Sequence, residues 1–271
     1  MTTEIALRAS AFQALHREGL LLLSNAWDPG SARLAVAAGG AAVATSSAAL
    51  AWAQGYPDGD ALPPATLLDT VKRICAAVDV PVTADIEGGY SDDPAEVGAL
   101  VARLLDAGAV GINIEDGSAA PERLAAKIQA ARETARARGI DLYINARTDV
   151  WLRGLAPAGA RVDEALRRGA LYAASGASGL FVPGATDAAE IGALVRGAGL
   201  PLNVMARPGL PAVGALRALG VRRLSAGSAI GEAVQGLALS LMRAFTSTGA
   251  LEAGGAPALG YGALNTLMRR G

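Results

Sequence analysis

Along the chain, short unbroken apolar runs alternate with segments in which apolar residues recur three and four positions apart. The runs, at 20–23, 42–45, 81–84, 110–114, 142–146, 179–182, 202–205 and 222–225, have the length and continuity of parallel strands covered on both faces. The helical period appears between them, at 66–78, 94–105, 121–136, 161–174 and 211–219. Gly108, Gly139, Gly176 and Gly220 follow four of these segments, where a left-handed residue ends a helix. Asp28 as N-cap and Pro29 at the first helical position start another helix, which stops at Gly39-Gly40. Eight such alternations without a break in composition predict an α/β fold of the closed (β/α)8 TIM-barrel kind rather than an open doubly wound sheet. A helix at 8–17, ended by Gly19, precedes the barrel. Beyond the last strand, 228–244 reads as a helix, and Gly254-Gly255 separates it from a further helical piece at 259–269. Residues 1–271 are thus expected to form one barrel domain, with 228–271 a helical tail used in oligomer contacts.

Composition narrows the function. The 271 residues are 52% hydrophobic, enough for one barrel core of roughly 250 residues. Lys and Arg number 24 against 25 Asp and Glu, with no basic run, so no nucleic-acid partner is expected. One cysteine, Cys75, rules out an intrachain disulfide and fits a reducing compartment. The uncharged stretch 35–56 is mostly Ala, Gly and Ser and reads as helix end, buried strand and loop, not as a membrane span. Charged residues precede the four leucines near the N-terminus, unlike a signal peptide. A cytoplasmic protein without membrane contact is the expectation.

Chemistry concentrates where strands end, as it does in barrel enzymes. There stand Asn25, Trp27 and Asp28; Thr45, Ser46 and Ser47; Asp85 and Glu87; Glu115 and Asp116; Asn145, Arg147 and Asp149; Asn203; and Ser225. Asp85, Glu87 and Glu115 are hard oxygen donors without neighbouring His or Cys, which suits Mg2+ or Mn2+. Helix capping or pairing with Arg103 or Arg123 is their alternative use. Asp116 reads as a cap for the following helix. Arg147 presents a planar fork to a carboxylate, either the substrate's or that of Asp149 or Glu115. Ser46 and Ser47 offer an anion site or a helix cap, and Ser228 a cap for the last long helix. His16, the only histidine, is read as a packing or surface residue, so a Ser-His-Asp triad is unavailable. Cys75 is read as core.

The motifs Asn25-Ala-Trp-Asp-Pro-Gly-Ser31, Ala44-Thr-Ser-Ser47, Gly55-Tyr-Pro-Asp58, Thr83-Ala-Asp-Ile-Glu-Gly-Gly-Tyr90, Gly111-Ile-Asn-Ile-Glu-Asp116 and Asn145-Ala-Arg-Thr-Asp149, in this order, resemble the isocitrate lyase/phosphoenolpyruvate mutase superfamily. The resemblance implies a (β/α)8 barrel with Mg2+ held, partly through waters, at Asp85, Glu87 and Glu115. It implies a 2-oxo acid surrounded by Ser46, Ser47, Asp58 and Arg147. Trp27, Tyr56 and Asn203 are further site candidates from the strand ends and loops themselves. It also implies dimers or tetramers that swap the last helix. The Lys-x-Cys-Gly-His loop of the lyases and the Lys-x-Asn-Ser loop of the mutases are absent, and the chain runs Asp116-Gly-Ser-Ala-Ala-Pro-Glu-Arg-Leu124 instead. Position 87 is Glu where many members have Asp. The expected activity is a Mg2+-dependent lyase or decarboxylase acting on a small 2-oxo or 2-hydroxy (di)carboxylate through a metal-stabilised pyruvate enolate, with water, Tyr56 or Tyr90 as final proton donor. A carbon–phosphorus mutase or hydrolase and a non-catalytic oxo-acid-binding barrel are the alternatives.

Overall fold

The computed structural model describes residues 2–251 and 258–269, so Gly254 and Gly255 lie outside the described residues. Its parallel strands are β1 (Leu21–Leu23), β2 (Asn25–Ala26), β3 (Val43–Thr45), β4 (Val82–Asp85), β5 (Gly111–Glu115), β6 (Tyr143–Arg147), β7 (Gly179–Phe181), β8 (Leu202–Met205) and β9 (Arg223–Ser225). They form one sheet in the order β1-β9-β8-β7-β6-β5-β4-β3-β2. Only Ser24 separates β1, which pairs with β9, from β2, which pairs with β3. The two pieces are one bent strand that closes the ring, which gives the eight positions of the expected barrel.

Around the sheet run α1 (Thr2–Ala14), α2 (Pro29–Ala37), α3 (Ser47–Ala53), α4 (Pro64–Ala77), α5 (Pro94–Ala107), α6 (Pro121–Ala137), α7 (Arg161–Ala174), α8 (Ala188–Gly197), α9 (Val213–Leu219), α10 (Ala229–Thr248) and α11 (Tyr261–Met268). Local chemistry sets the ends of α2 and α5 as expected, whereas α1 runs over Thr2–Ala14 and not over 8–17. Asp28 Oδ1 accepts the Ser31 N–H at 2.6 Å while Ser31 Oγ receives the Asp28 N–H at 3.0 Å, a reciprocal cap. Gly108 ends α5 at φ +102°, and a Cβ there would meet Cys75 Cβ at 3.1 Å, so both backbone and packing require glycine. Cys75 is buried on α4. Two further expectations need correction. The segment 47–53 is a helix, α3, not a loop, because Ser46 caps it by accepting the Ala49 N–H. Ser228 precedes α10 without capping it, since its hydroxyl donates to Glu232 Oε1 at 2.6 Å. No helix among the described residues is long and apolar enough to cross a membrane.

α1 closes the barrel's lower end, and its Phe12 and His16 reach Tyr143 of β6. The His16 ring stacks on Tyr143 at 3.8 Å between centroids and meets Phe12 edge-on. Its Nδ1 lies 2.8 Å from the Phe12 carbonyl, an acceptor only, so Nδ1 carries the proton and donates. Burial, with Arg223 nearby, lowers the His16 pKa to about 3. A depressed imidazole pKa stabilises the fold above 6.5, and that stability drains away as pH falls from 6.5 toward 3, because the unfolded chain takes up the proton first. His16→Gln should therefore have a flatter acid limb. Between about pH 7.5 and 4.5 the parent should lose about 2–3 kcal/mol more than the variant in urea unfolding. Parallel pH profiles would show that His16 titrates normally.

Inside the barrel a polar layer interrupts the apolar core. Arg223 is fully buried, with Nε donating to Ser225 Oγ at 3.0 Å and Nη2 to Asn113 Oδ1 at 3.2 Å. Asn145 Nδ2 donates to the same Asn113 oxygen at 2.9 Å. Burial lowers the Arg223 pKa to about 10, against the pull of Tyr143 and Asp85.

Candidate active site

Three neighbouring strands end in the charged residues the sequence singles out. β4 ends in Asp85, β5 in Glu115 and β6 in Arg147, with Glu115 paired to Arg147 in register. Each strand runs one residue further than its apolar run, because the ladder continues past the last hydrophobic side chain. Glu115 N donates to Glu87 O at 2.9 Å and Asp116 N to Arg147 O at 3.2 Å. The charged side chains are therefore set by sheet geometry rather than by loose loops.

Asp85 is partly buried, and its Oδ2 accepts the Ser47 hydroxyl at 3.2 Å. Its backbone N–H donates to Thr45 Oγ1 at 2.8 Å. Burial pushes its carboxyl above the usual range, against the pull of Arg147. Glu115 sits 2.6 Å from Arg147 Nη1, yet burial, with Asp85, Asp149 and Glu87 around it, raises its pKa to about 8. Arg147 also forks onto Asp149, Nε to Oδ1 at 2.7 Å and Nη2 to Oδ2 at 3.1 Å. The arginine thus rests in the ion pair named above as the alternative to a substrate clamp, and it is already aligned for a planar carboxylate.

Two neighbours behave otherwise than the sequence suggests. Asp116 does not cap α6, whose N-cap residue Ala120 has no side-chain bond. It is buried, and Oδ2 accepts from Thr148 (2.7 Å), Arg168 (2.8 Å) and Tyr172 (2.7 Å), while Oδ1 accepts the Asp149 N–H at 2.9 Å. Arg123 pairs with Asp92 at 3.2 Å and not with the mouth carboxylates. Thr148 lies within the Asn145–Asp149 motif, whereas Arg168 and Tyr172 went unmarked by any sequence signal.

The remaining candidates divide. The Trp27 ring lies against the start of α10, where a Cβ on Gly231 would come within 3.7 Å of it. Ser46 is occupied as the cap of α3. Asn203 is buried, with Nδ2 donating to Ser225 Oγ at 3.2 Å. Tyr56 and Asp58 are exposed on the loop after α3, and among the described residues neither side chain bonds to the mouth. Asp60, two residues on, does reach it, lying against the Glu87–Tyr90 turn. Glu87 is buried, and its carboxylate accepts the N–H groups of Gly59, at 3.0 Å, and Asp60, and the Tyr90 hydroxyl at 3.0 Å.

The donor set suits a small hard cation. Asp85 lacks an ion-pair partner among the described residues, and Glu115 stays protonatable near neutral pH even beside Arg147, so the mouth holds more carboxyl groups than its arginine alone can keep ionised. All donors are oxygens, as Mg2+ requires. Among the described residues no three Asp, Glu, His or Cys side chains come together as a direct ligand set, so an ion held here takes part of its shell from water or substrate.

The chain is similar to known proteins along nearly its whole barrel. An uncharacterized protein of Mycobacterium tuberculosis is 38% identical over 224 residues, 80% of this chain and 82% of that one. An oxaloacetate decarboxylase of Paraburkholderia xenovorans is 30% identical over 212 residues, 72% of this chain and 67% of its own. Among solved structures, a candidate phosphonomutase of Burkholderia cenocepacia superposes with a TM-score of 0.83 at 39% identity, over 87% of this chain and 99% of that one. A phosphonopyruvate hydrolase in complex with oxalate and Mg2+ superposes with a TM-score of 0.80 at 26% identity, over 98% and 95%. Residues 12–246 match the family model for phosphoenolpyruvate phosphomutase. With the acidic and basic strand ends of its barrel in the motif order described, the chain belongs to the phosphoenolpyruvate phosphomutase family.

Proposed function

We propose that the protein is a Mg2+- or Mn2+-dependent carbon–carbon lyase or decarboxylase acting on a small 2-oxo or 2-hydroxy dicarboxylate such as oxaloacetate. The observation that carries this reading is the row Asp85, Glu115, Arg147 on three successive strand ends, with carboxylate in excess of cation. Asp85 and Glu115 would hold the ion. Such an ion would supply Lewis-acid polarisation of a keto oxygen and counter-charge for a developing enolate. Arg147 exchanges part of its Asp149 and Glu115 pairing for the substrate carboxylate, and the Ser47 backbone supplies an N–H toward the same space. Asp149, buried and tied to Asp116, keeps the guanidinium plane fixed during that exchange. The final proton comes from water or a tyrosine. Tyr90 is held protonated by burial and its bond to Glu87, and Tyr56 stands at the surface.

Pyruvate release from oxaloacetate, 2-methylmalate-type diacids and phosphonopyruvate, with and without EDTA, tests the reading. EDTA-sensitive pyruvate from a diacid is the expected result, and no turnover of any, or turnover indifferent to EDTA, would remove it. Release of inorganic phosphate from phosphonopyruvate, followed by phosphorus NMR, would instead support the second reading, motivated by the 29% identity to a phosphonopyruvate hydrolase of Variovorax over 197 residues. Tight metal-linked oxalate binding without turnover would leave a binding barrel.

A homo-oligomer belongs to the same proposal. In α10 only Gly231 is buried, and Ile230, Val234, Leu237, Met242 and Phe245 are exposed along it, far more apolar surface than a helix keeps in water. In the single chain α11 lies on α2, where Arg33 Nη1 donates to the Leu267 carbonyl at 3.2 Å and the Arg269 carbonyl at 2.7 Å. A second copy covering α10, with α11 docking in place or exchanged, is the closed arrangement such a surface favours. Met242→Glu with Phe245→Glu should convert the assembly to single chains in sedimentation velocity without loss of helical circular dichroism. A parent that already sediments as one chain at micromolar concentration would contradict it.

A further inference from the structure

The turn after β4 and the loop after α3 carry an arrangement that metal binding alone does not call for. Both carboxylate oxygens of Glu87 are taken. Oε2 accepts the backbone N–H groups of Gly59, at 3.0 Å, and Asp60, and Oε1 accepts the Tyr90 hydroxyl at 3.0 Å. The residue is 4% exposed. Among the described residues the non-glycine positions with positive φ are Asp60 (+58°), Glu87 (+51°) and Tyr90 (+58°), the three members of this one hydrogen-bonded unit. Left-handed backbone at a residue with a Cβ persists only where its surroundings hold it. Here the holding is mutual. Asp60 returns the contact, its Oδ2 lying 3.3 Å from the point where a Cβ on Gly88 would stand. Lys127 Nζ donates to the Gly88 carbonyl at 2.7 Å from the far side, and a Cβ on Gly89 (φ +94°) would meet Val97 Cγ2 at 2.9 Å, so the turn cannot back away.

We propose that Glu87 is a positioning residue that clasps the 58–60 loop over the mouth, and that it does this in place of ligating the metal ion. The length of the side chain is the physical reason. An Asp at 87 would end about one bond, roughly 1.5 Å, short of the Gly59 and Asp60 amides and nearer the strand ends. The extra methylene of Glu carries the carboxylate out to the loop. With its oxygens committed there, Asp85 and Glu115 are the carboxylates that would hold an ion, in keeping with the lack of a three-carboxylate ligand set among the described residues. The clasp fixes the chain on both sides of Asp58-Gly59-Asp60. It thereby sets how closely Asp58, otherwise exposed, approaches anything bound at the mouth. The unit also walls one side of a cavity of about 520 Å³ lined by Asp60, Glu87, Tyr90 and Glu115, so opening the clasp would widen access from that side.

Glu87→Gln separates the two roles. The amide oxygen can accept both backbone N–H groups, and its NH2 can donate to the Tyr90 hydroxyl oxygen, so the clasp survives while the charge a metal ligand needs is lost. Glu87→Ala removes both. The experiment is hydrogen exchange at residues 54–63 together with Mn2+ binding followed by electron paramagnetic resonance, on parent, Glu87→Gln, Glu87→Ala, Tyr90→Phe and, as a ligand control, Asp85→Asn. Glu87→Ala should speed exchange of the Gly59 and Asp60 amides about tenfold or more, with the rest of the barrel unchanged. Tyr90→Phe should do so more weakly, and Glu87→Gln should keep parent protection. Mn2+ affinity should stay within about twofold in all three and fall tenfold or more only in Asp85→Asn. Unchanged exchange at 59–60 in Glu87→Ala, or a tenfold loss of Mn2+ affinity in Glu87→Gln, would overturn the proposal. The Mn2+ arm rests on the metal reading of the mouth. A parent that binds no Mn2+ would defeat that reading and with it the comparison to ligation, while the exchange arm still decides the clasp.

Discussion

Asp85→Asn is expected to lower turnover by roughly 10^3-fold while leaving the fold as stable as before or more stable. The two halves have one cause. Asp85 is partly buried among carboxylates, and burial pushes its carboxyl above the usual range. A raised carboxyl pKa means that the ionised form is disfavoured in the fold, a cost present at neutral pH and relieved as pH falls toward the ordinary value of 3.8. Asparagine keeps the shape and can accept from the Ser47 hydroxyl as Asp85 Oδ2 does, but it carries no charge to be disfavoured. In EDTA the variant should melt at or above the parent. Added Mg2+ should raise the melting temperature of the parent only, since an ion that binds the native state alone stabilises it by mass action. Thermal melts in EDTA and in Mg2+, beside initial rates of pyruvate release, check both halves. A variant keeping more than a tenth of parental turnover would show that Asp85 does not carry the chemistry.

The barrel was legible because parallel strands covered on both faces leave a continuous apolar run, and eight of these alternating with helical periods admit few topologies. The strand-end row was legible for a related reason. A charged residue directly after an apolar run has no use in the core, so Asp85, Glu115 and Arg147 stand out in one dimension. What stayed hidden depends on contacts between residues far apart in sequence. Asp60 lies in a Gly- and Asp-rich stretch that reads as an ordinary turn, and only the fold brings Glu87 and Tyr90 to it. Arg223 opens β9, a place where an arginine normally turns to solvent, yet the ring of strands carries it inward to Asn113, a contact across 110 positions. Asp116 has the spacing of a helix cap and is used instead by a partner 52 residues on. The α3 helix is signalled in the sequence only by its cap candidate Ser46, because Ala and Ser in succession give no apolar period.

That same Asp116 contact should produce the largest loss of stability in the chain. Arg168 Nη1 lies 2.8 Å from Asp116 Oδ2, with side-chain exposures of 8% and 0%, and no other cation pairs with Asp116 among the described residues. Removing the guanidinium leaves a buried carboxylate held by three neutral donors, Thr148, Tyr172 and the Asp149 N–H. An uncompensated buried charge of this kind costs about 3–5 kcal/mol. Arg168→Leu should therefore lower the urea midpoint accordingly and the melting temperature by on the order of 10 °C. Adding Asp116→Asn should recover much of the loss, because the amide keeps acceptor geometry without a charge to bury, and the difference between single and double variants measures the coupling. A cost below about 1 kcal/mol for Arg168→Leu would mean that water or the three remaining donors already satisfy Asp116. The effect should reach the mouth as well. Asp116 fixes the Asp149 N–H, and Asp149 holds the Arg147 fork in plane, so Arg168→Leu should raise KM for a dicarboxylate more than it lowers kcat. Arg168 touches no part of the mouth, and such a split would show that Arg147 is aimed from behind, through a chain of buried hydrogen bonds that begins on α7.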